Sequence, residues 1–250
     1  LGLDAAGYFA AAWGITMTYV GFLLGAMGAD YYPRLTEVIH DKVAAVRLMN
    51  DQAQLGLAIG GPVLLLLIGL APWVITLLYS AEFDPAVTLL QWQTVGNVFK
   101  IASWALGFSI VAAGRAKTFF FVELSFNIAF LGMVFVFLPS VGLEVTAYAF
   151  VLGYLVHMSM VYLVARRILD FRWQSISLGL LGLHMSLGVA LLVLALIAPL
   201  AAAMASPLLA AATGLFGLRV VLSKVGKHGR LPTRLYGIFA KLGWPIQSAV

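Results

Sequence analysis

Lys100 is the residue of this chain best placed to do chemistry, because it stands in the middle of a long apolar stretch. A lysine at the centre of a bilayer costs at least ~2.5–3.5 kcal/mol, so it faces a bundle interior or a water-filled cavity. Asn97 lies one turn earlier on nearly the same helical face, with Gln91 and Gln93 further out, which makes a polar stripe. Glu123 and Asn127 stand in the next apolar stretch. Counted from the basic end of each stretch, Lys100 and Glu123 differ in depth by ~10 Å at 1.5 Å per residue. A snorkelling lysine narrows that gap. A direct ion pair is therefore disfavoured, and Asn127, one turn deeper than Glu123, is placed to bridge. Two readings stay open: a structural pair that pins two helices together, or a site for substrate or a coupling ion.

His157 and His184 each stand alone in an apolar stretch. Such a histidine is either a proton carrier or a neutral imidazole bonded to a backbone carbonyl. No spaced set of His and carboxylate ligands accompanies them, so neither a metal nor any other cofactor is expected. Glu82 and Asp84 fall two apart in a short loop. Asp84-Pro85 reads as a helix start rather than as a catalytic carboxylate pair.

The elements that carry these residues are membrane spans. The chain of 250 residues is 62% hydrophobic and only 10% charged, with a mean hydropathy of +1.01. A soluble domain carries roughly 25% charged residues. An all-α, polytopic membrane helical bundle is expected. A bilayer core of ~30 Å takes about 20 apolar residues per helix. Apolar windows fall near 5–29, 53–79, 88–113, 118–139, 145–165, 175–198 and 207–223, about seven spans in all. Cysteine is absent, which excludes disulfides and thiolate chemistry. The net charge of +5 belongs to loops of a membrane protein rather than to a nucleic-acid partner.

Fourteen of the fifteen Lys and Arg residues fall at one end of these windows, and Lys100 is the exception. The gaps at 80–87, 139–144 and 199–206 hold none. Lys and Arg mark cytoplasmic loops, so the C-terminal tail is expected in the cytoplasm and residue 1 outside. The chain opens without Met and without a signal-peptide pattern. It is read as the C-terminal part of a longer protein, which has an odd number of spans upstream if its own start is cytoplasmic. Segment 36–52 mixes apolar and charged positions at near-helical spacing and is expected as an amphipathic cytoplasmic helix or a solvated connector. The pairs Gly21/Gly25 and Gly56/Gly60 predict close helix packing. Pro33, Pro62 and Pro72 predict local bends.

Several stretches resemble one family in order and spacing: 6–13 (AGYFAAAW), 29–35 (ADYYPRL), 50–52 (NDQ), 71–83 (APWVITLLYSAEF), 89–97 (LLQWQTVGN), 103–108 (SWALGF) and 114–123 (GRAKTFFFVE). Together they are similar to the polysaccharide transporters, the O-antigen translocases among them, of the multidrug/oligosaccharidyl-lipid/polysaccharide exporter superfamily. The resemblance covers roughly 1–170. It implies a two-lobe exporter fold in which 1–170 supplies five spans of the C-terminal lobe, 171–225 two additional spans, and 226–250 a basic cytoplasmic tail. It implies flipping of an undecaprenyl-pyrophosphate-linked oligosaccharide across the bacterial inner membrane by alternating access. Its partners would be that lipid-linked substrate, membrane lipids and other polysaccharide-assembly membrane proteins.

On that resemblance Lys100 and Asn97 would meet the pyrophosphate headgroup, since a compact ammonium suits it. Arg34, Arg115 and Lys117 would gather the headgroup at the cytoplasmic mouth or else be simple topology charges, the favoured reading for Arg115 and Lys117. Glu123 and Asn127 would form the coupling or structural pair. A multidrug or peptidoglycan-precursor exporter of the same superfamily is the nearest alternative, although a drug exporter favours acidic cavity residues over a buried lysine. A membrane-embedded glycosyl or acyl transferase is the alternative from another class. It would show acids and bases converging at one interface.

Overall fold

The computed structural model describes residues 1–226, 230–241 and 243–246. Hydrocarbon offers no partner for a free backbone N–H or C=O, so a chain this apolar satisfies them within helices. Among the described residues eight α-helices follow one another: α1 Gly2–Val38, α2 Lys42–Leu78, α3 Pro85–Ala112, α4 Ala116–Val141, α5 Val145–Leu169, α6 Ser175–Ile197, α7 Pro199–Val225 and α8 Arg230–Lys241. Short 3-10 turns at Ala81–Phe83 and Gly142–Glu144 precede α3 and α5. Six stretches of the described residues are long and apolar enough to cross a membrane, and one of them, Ala116–Leu169, contains both α4 and α5.

That stretch folds back on itself. Phe126 packs on Tyr154, their ring centroids 4.5 Å apart, while Glu123 meets His157. Each pair of numbers sums to 280, the signature of an antiparallel hairpin. The chain is an all-α, multi-pass membrane bundle.

The remaining helices alternate in the same way. At one end the last turns of α1, α3 and α5 pack with the first turns of α2 around Tyr31, Leu35, Met49, Ile110 and Val161. At the other end Ala12 and Ile15 of α1 meet Ile75 of α2, Leu89 of α3 and Ala147 of α5. Among the described residues, every Lys and Arg except Lys100 lies at or beyond the first of these ends. Lys227 lies outside the described residues.

Several expectations from the sequence change here. Segment 36–52 is not a separate helix. α1 runs to Val38 and α2 starts at Lys42, capped by Asp41, whose carboxylate accepts from the N–H groups of Val43 and Ala44 at 3.0 and 3.1 Å. At 37 residues each, these helices are ~55 Å long and overrun a ~30 Å core, so polar residues continue them past the apolar windows. The loop read at 199–206 is the first two turns of α7, since Pro199 sits in its first turn, where a missing N–H costs nothing. Asp84-Pro85 does open α3 as read.

α2 is the hub, packed against α1, α3, α6 and α7. Glycines make this possible. A Cβ on Gly60 would lie 2.8 Å from Ile101 and from Leu23, and one on Gly61 2.3 Å from the His184 ring. On the facing helix, a Cβ on Gly217 would lie 2.3 Å from the Ala58 carbonyl oxygen. Gly21 and Gly25, expected to serve the same purpose, face open space: a Cβ on either would meet nothing within 4 Å.

Candidate functional site

Lys100 opens into a cavity of about 250 Å³ between α3, α4 and α5. From α3 come Lys100, Ser103, Trp104 and Phe108, from α4 Phe119 and Glu123, and from α5 Tyr154 and His157. The helical repeat of α3 produces this wall, because 100, 104 and 108 succeed one another at one-turn spacing. Aromatic rings enclose it: Trp104 packs edge-on against Phe108 at 4.8 Å, and Tyr154 against Phe150 at 4.8 Å.

The Lys100 ammonium lies 5.4 Å from the centroid of the Tyr154 ring and 3.1 Å from Met17 Sδ on α1. The ring supplies a cation–π contact. No carboxylate of the described residues lies within ion-pair distance of Lys100. Glu123 and Lys100 share the cavity without forming a pair. Glu123 is held instead by His157, Nε2 to Oε1 at 3.1 Å. His157 is almost wholly buried, whereas the Glu123 side chain is half exposed at the cavity mouth. The other imidazole nitrogen, Nδ1, lies 3.3 Å from Ser103 Oγ, and that hydroxyl donates to the Lys100 carbonyl oxygen at 3.1 Å. One hydrogen-bonded chain therefore links α4, α5 and α3.

The other residues singled out from the sequence stand apart from it. Asn97 is fully buried one turn from Lys100 and does not line the cavity; its amide, like that of Gln93, finds no protein partner among the described residues. Gln91 Nε2 donates to the Ile68 carbonyl oxygen at 3.0 Å. Asn127 is exposed and donates to the Glu123 backbone carbonyl oxygen at 3.2 Å, so it bridges nothing. Arg34 is exposed and pairs with Asp30 one turn back at 2.9 Å. His184 takes the plainer of its two readings: Nδ1 lies 2.9 Å from the Leu180 carbonyl oxygen while the ring fills the notch at Gly61.

Sequence reasoning missed His157 as the partner of Glu123, and missed Ser103, Trp104 and Tyr154 altogether as cavity residues. A signal existed. Glu123 lies 16 residues before Pro139 and His157 15 residues after Gly142, so folding the chain at that turn sets them face to face.

At the basic end a second polar cluster ties α2 to α5, α6 and α7. The Lys42 ammonium bonds the Asp170 carboxylate at 2.5 Å, and Lys224 of α7 pairs with Asp51 of α2. Buried Asn50 donates to the Val46 and Arg172 carbonyl oxygens and accepts from Gln174 N and Ser177 Oγ. These bonds join α2 to the segment after α5, to α6 and to α7, which makes the cluster a fastening.

The fold and the cavity define a class: a multi-pass helical membrane protein with a charged, aromatic-walled cavity inside the bundle. Comparison with protein-family models, with curated proteins and with solved structures finds no match to this chain.

Proposed function

We propose that the chain forms the C-terminal lobe and additional spans of a flippase that carries a lipid-linked oligosaccharide, such as an O-antigen unit on undecaprenyl pyrophosphate, across the bacterial inner membrane. The observation that supports this best is Lys100. It offers an ammonium to a cavity within the bundle, with no carboxylate in ion-pair contact among the described residues. A buried cation with that freedom meets the need of a pyrophosphate headgroup crossing hydrocarbon. Trp104 and Tyr154 beside it offer ring faces on which sugars stack. In this reading the basic end faces the cytoplasm, as Lys- and Arg-rich loops do. Arg34 then lies at the cytoplasmic mouth, and the lipid tail stays in the bilayer while the headgroup passes.

The test is export in cells that make the glycan. Lys100→Ala should abolish surface O-antigen at an unchanged protein level, and Lys100→Arg should retain part of it. Normal export by Lys100→Ala would sink the proposal.

A further inference from the structure

The hydrogen bonds of His157 serve two protonation states of its ring. Ser103 has one hydroxyl proton, which reaches the Lys100 carbonyl oxygen at 3.1 Å or, as the hydroxyl turns, His157 Nδ1 at 3.3 Å. The site therefore holds either a neutral imidazole with its hydrogen on Nε2, accepting from Ser103, or an imidazolium whose Nδ1 donates to Ser103. The 3.1 Å contact on the other side of the ring joins Nε2 to a carboxylate oxygen. Without a proton between them both atoms are acceptors, and the contact is repulsive. The observed geometry therefore holds one proton there, bonded either to Nε2 or to Oε1.

The charge of the cavity follows. Its titratable side chains are Lys100 from α3, Glu123 from α4, and Tyr154 and His157 from α5. With both ring nitrogens protonated, His157 and Glu123 together are neutral and the Lys100 charge is uncompensated. With only one protonated, the Glu123 carboxylate is unbalanced within the pair, and its charge cancels that of Lys100. No electrons move. The second ring proton passes to water entering the cavity that Ser103 and His157 line, and returns the same way.

We propose that His157 and Glu123 form a proton-binding dyad whose occupancy sets the charge of the Lys100 cavity, so that an anion and a proton bind there together. This rests on the reading of the cavity as an anion site. The ligand class is a phosphate- or sulfate-like group, whether on a lipid or free. Binding linkage is reciprocal, so a proton that strengthens anion binding is itself held more strongly once the anion is bound.

Sulfate tests this, because it does not itself titrate near neutral pH. Its binding to the purified protein in lipid nanodiscs is measured by calorimetry between about pH 6 and about pH 8, the range in which histidine charge commonly changes. Wild-type affinity should fall as pH rises, by up to about tenfold per unit, the limit for one linked proton. Binding should take up to one proton per sulfate, read from buffers of different ionisation enthalpy. Glu123→Gln removes the carboxylate that offsets Lys100, so its affinity should equal or exceed the best wild-type value and lose most of the pH dependence. His157→Gln leaves Glu123 charged, so its affinity should match the weak limit and take up no proton.

Lys100-dependent sulfate binding that is flat with pH in the wild type overturns the dyad and leaves the anion reading standing. An undiminished pH dependence in both variants overturns the dyad as well. No Lys100-dependent binding at any pH overturns the anion reading and the linkage together.

Discussion

Asn50 shows what one amide does at the end of this bundle. All four of its hydrogen-bonding positions are filled, two of them by the backbone around residues 172–174 and one by Ser177 on α6. Asn50→Ala strands the Gln174 N–H and the Arg172 carbonyl. It should cost about 2–3 kcal/mol, the sum of two orphaned backbone groups, read as a lowered unfolding midpoint in detergent. Gln93 is the opposite case, fully buried with both amide atoms unpartnered within the described protein. Gln93→Leu keeps the volume and removes that burden, so it should leave stability unchanged or raise it by about 1 kcal/mol in the same assay. Asp170 follows α5 with φ of 56°, the left-handed position that ends a helix. The hydrogen bond and charge of Lys42 hold its carboxyl below the usual carboxylate range. A carboxyl lowered on folding contributes stability above its unfolded value of about 3.9 and loses it as pH falls to the folded one. Asp170→Asn should therefore flatten the acid limb of a stability–pH curve below about pH 4, and high salt should mimic it because the pair is exposed.

Helix contacts turn on notches in α2. Gly61→Ala drives a methyl group into the His184 imidazole, a rigid ring that cannot yield, and should cost about 1–3 kcal/mol. His184→Ala should restore much of that loss in the double variant, whereas no companion change should rescue Gly217→Ala, whose Cβ meets the Ala58 backbone. A thermal-shift cycle on the four proteins reads the coupling. The same scale explains what the sequence disclosed. Apolar windows located all the membrane helices, because hydropathy depends on composition alone. They stopped short at 29 and started late at 53, because the extra turns of α1 and α2 mix charged residues among the apolar ones and fall below the hydropathy of a span. Lys100 and Glu123 were legible as costly charges in hydrocarbon. Their partners were not, since those depend on the register of α3, α4 and α5. The depth argument kept Lys100 and Glu123 from pairing, yet it assigned the bridge to Asn127 because Asn127 is near in sequence, where the hairpin had brought His157 near in space.

The described molecule is polarised, with its basic residues at one end and, among the described residues, Lys100 alone between the two. The chain has no cysteine, so single cysteines report sidedness cleanly. Ala81→Cys should react with an impermeant maleimide on intact cells, and Thr36→Cys only after permeabilisation; the reverse pattern would overturn the proposed orientation. The lateral wall of the cavity is α4, which buries only Val122 fully and turns Phe120, Phe121, Leu131 and Phe135 outward. Short turns tether it at both ends, and its main neighbour is α5. Phe126 and Phe130 bear on α5 and α1, and Phe126 fills the notch left by Gly153. A turn of α4 by about 20° would carry the Glu123 carboxylate, at a radius of about 5–6 Å, through about 2 Å. The bond to His157 is then the tooth that fixes the angle of α4 against α5.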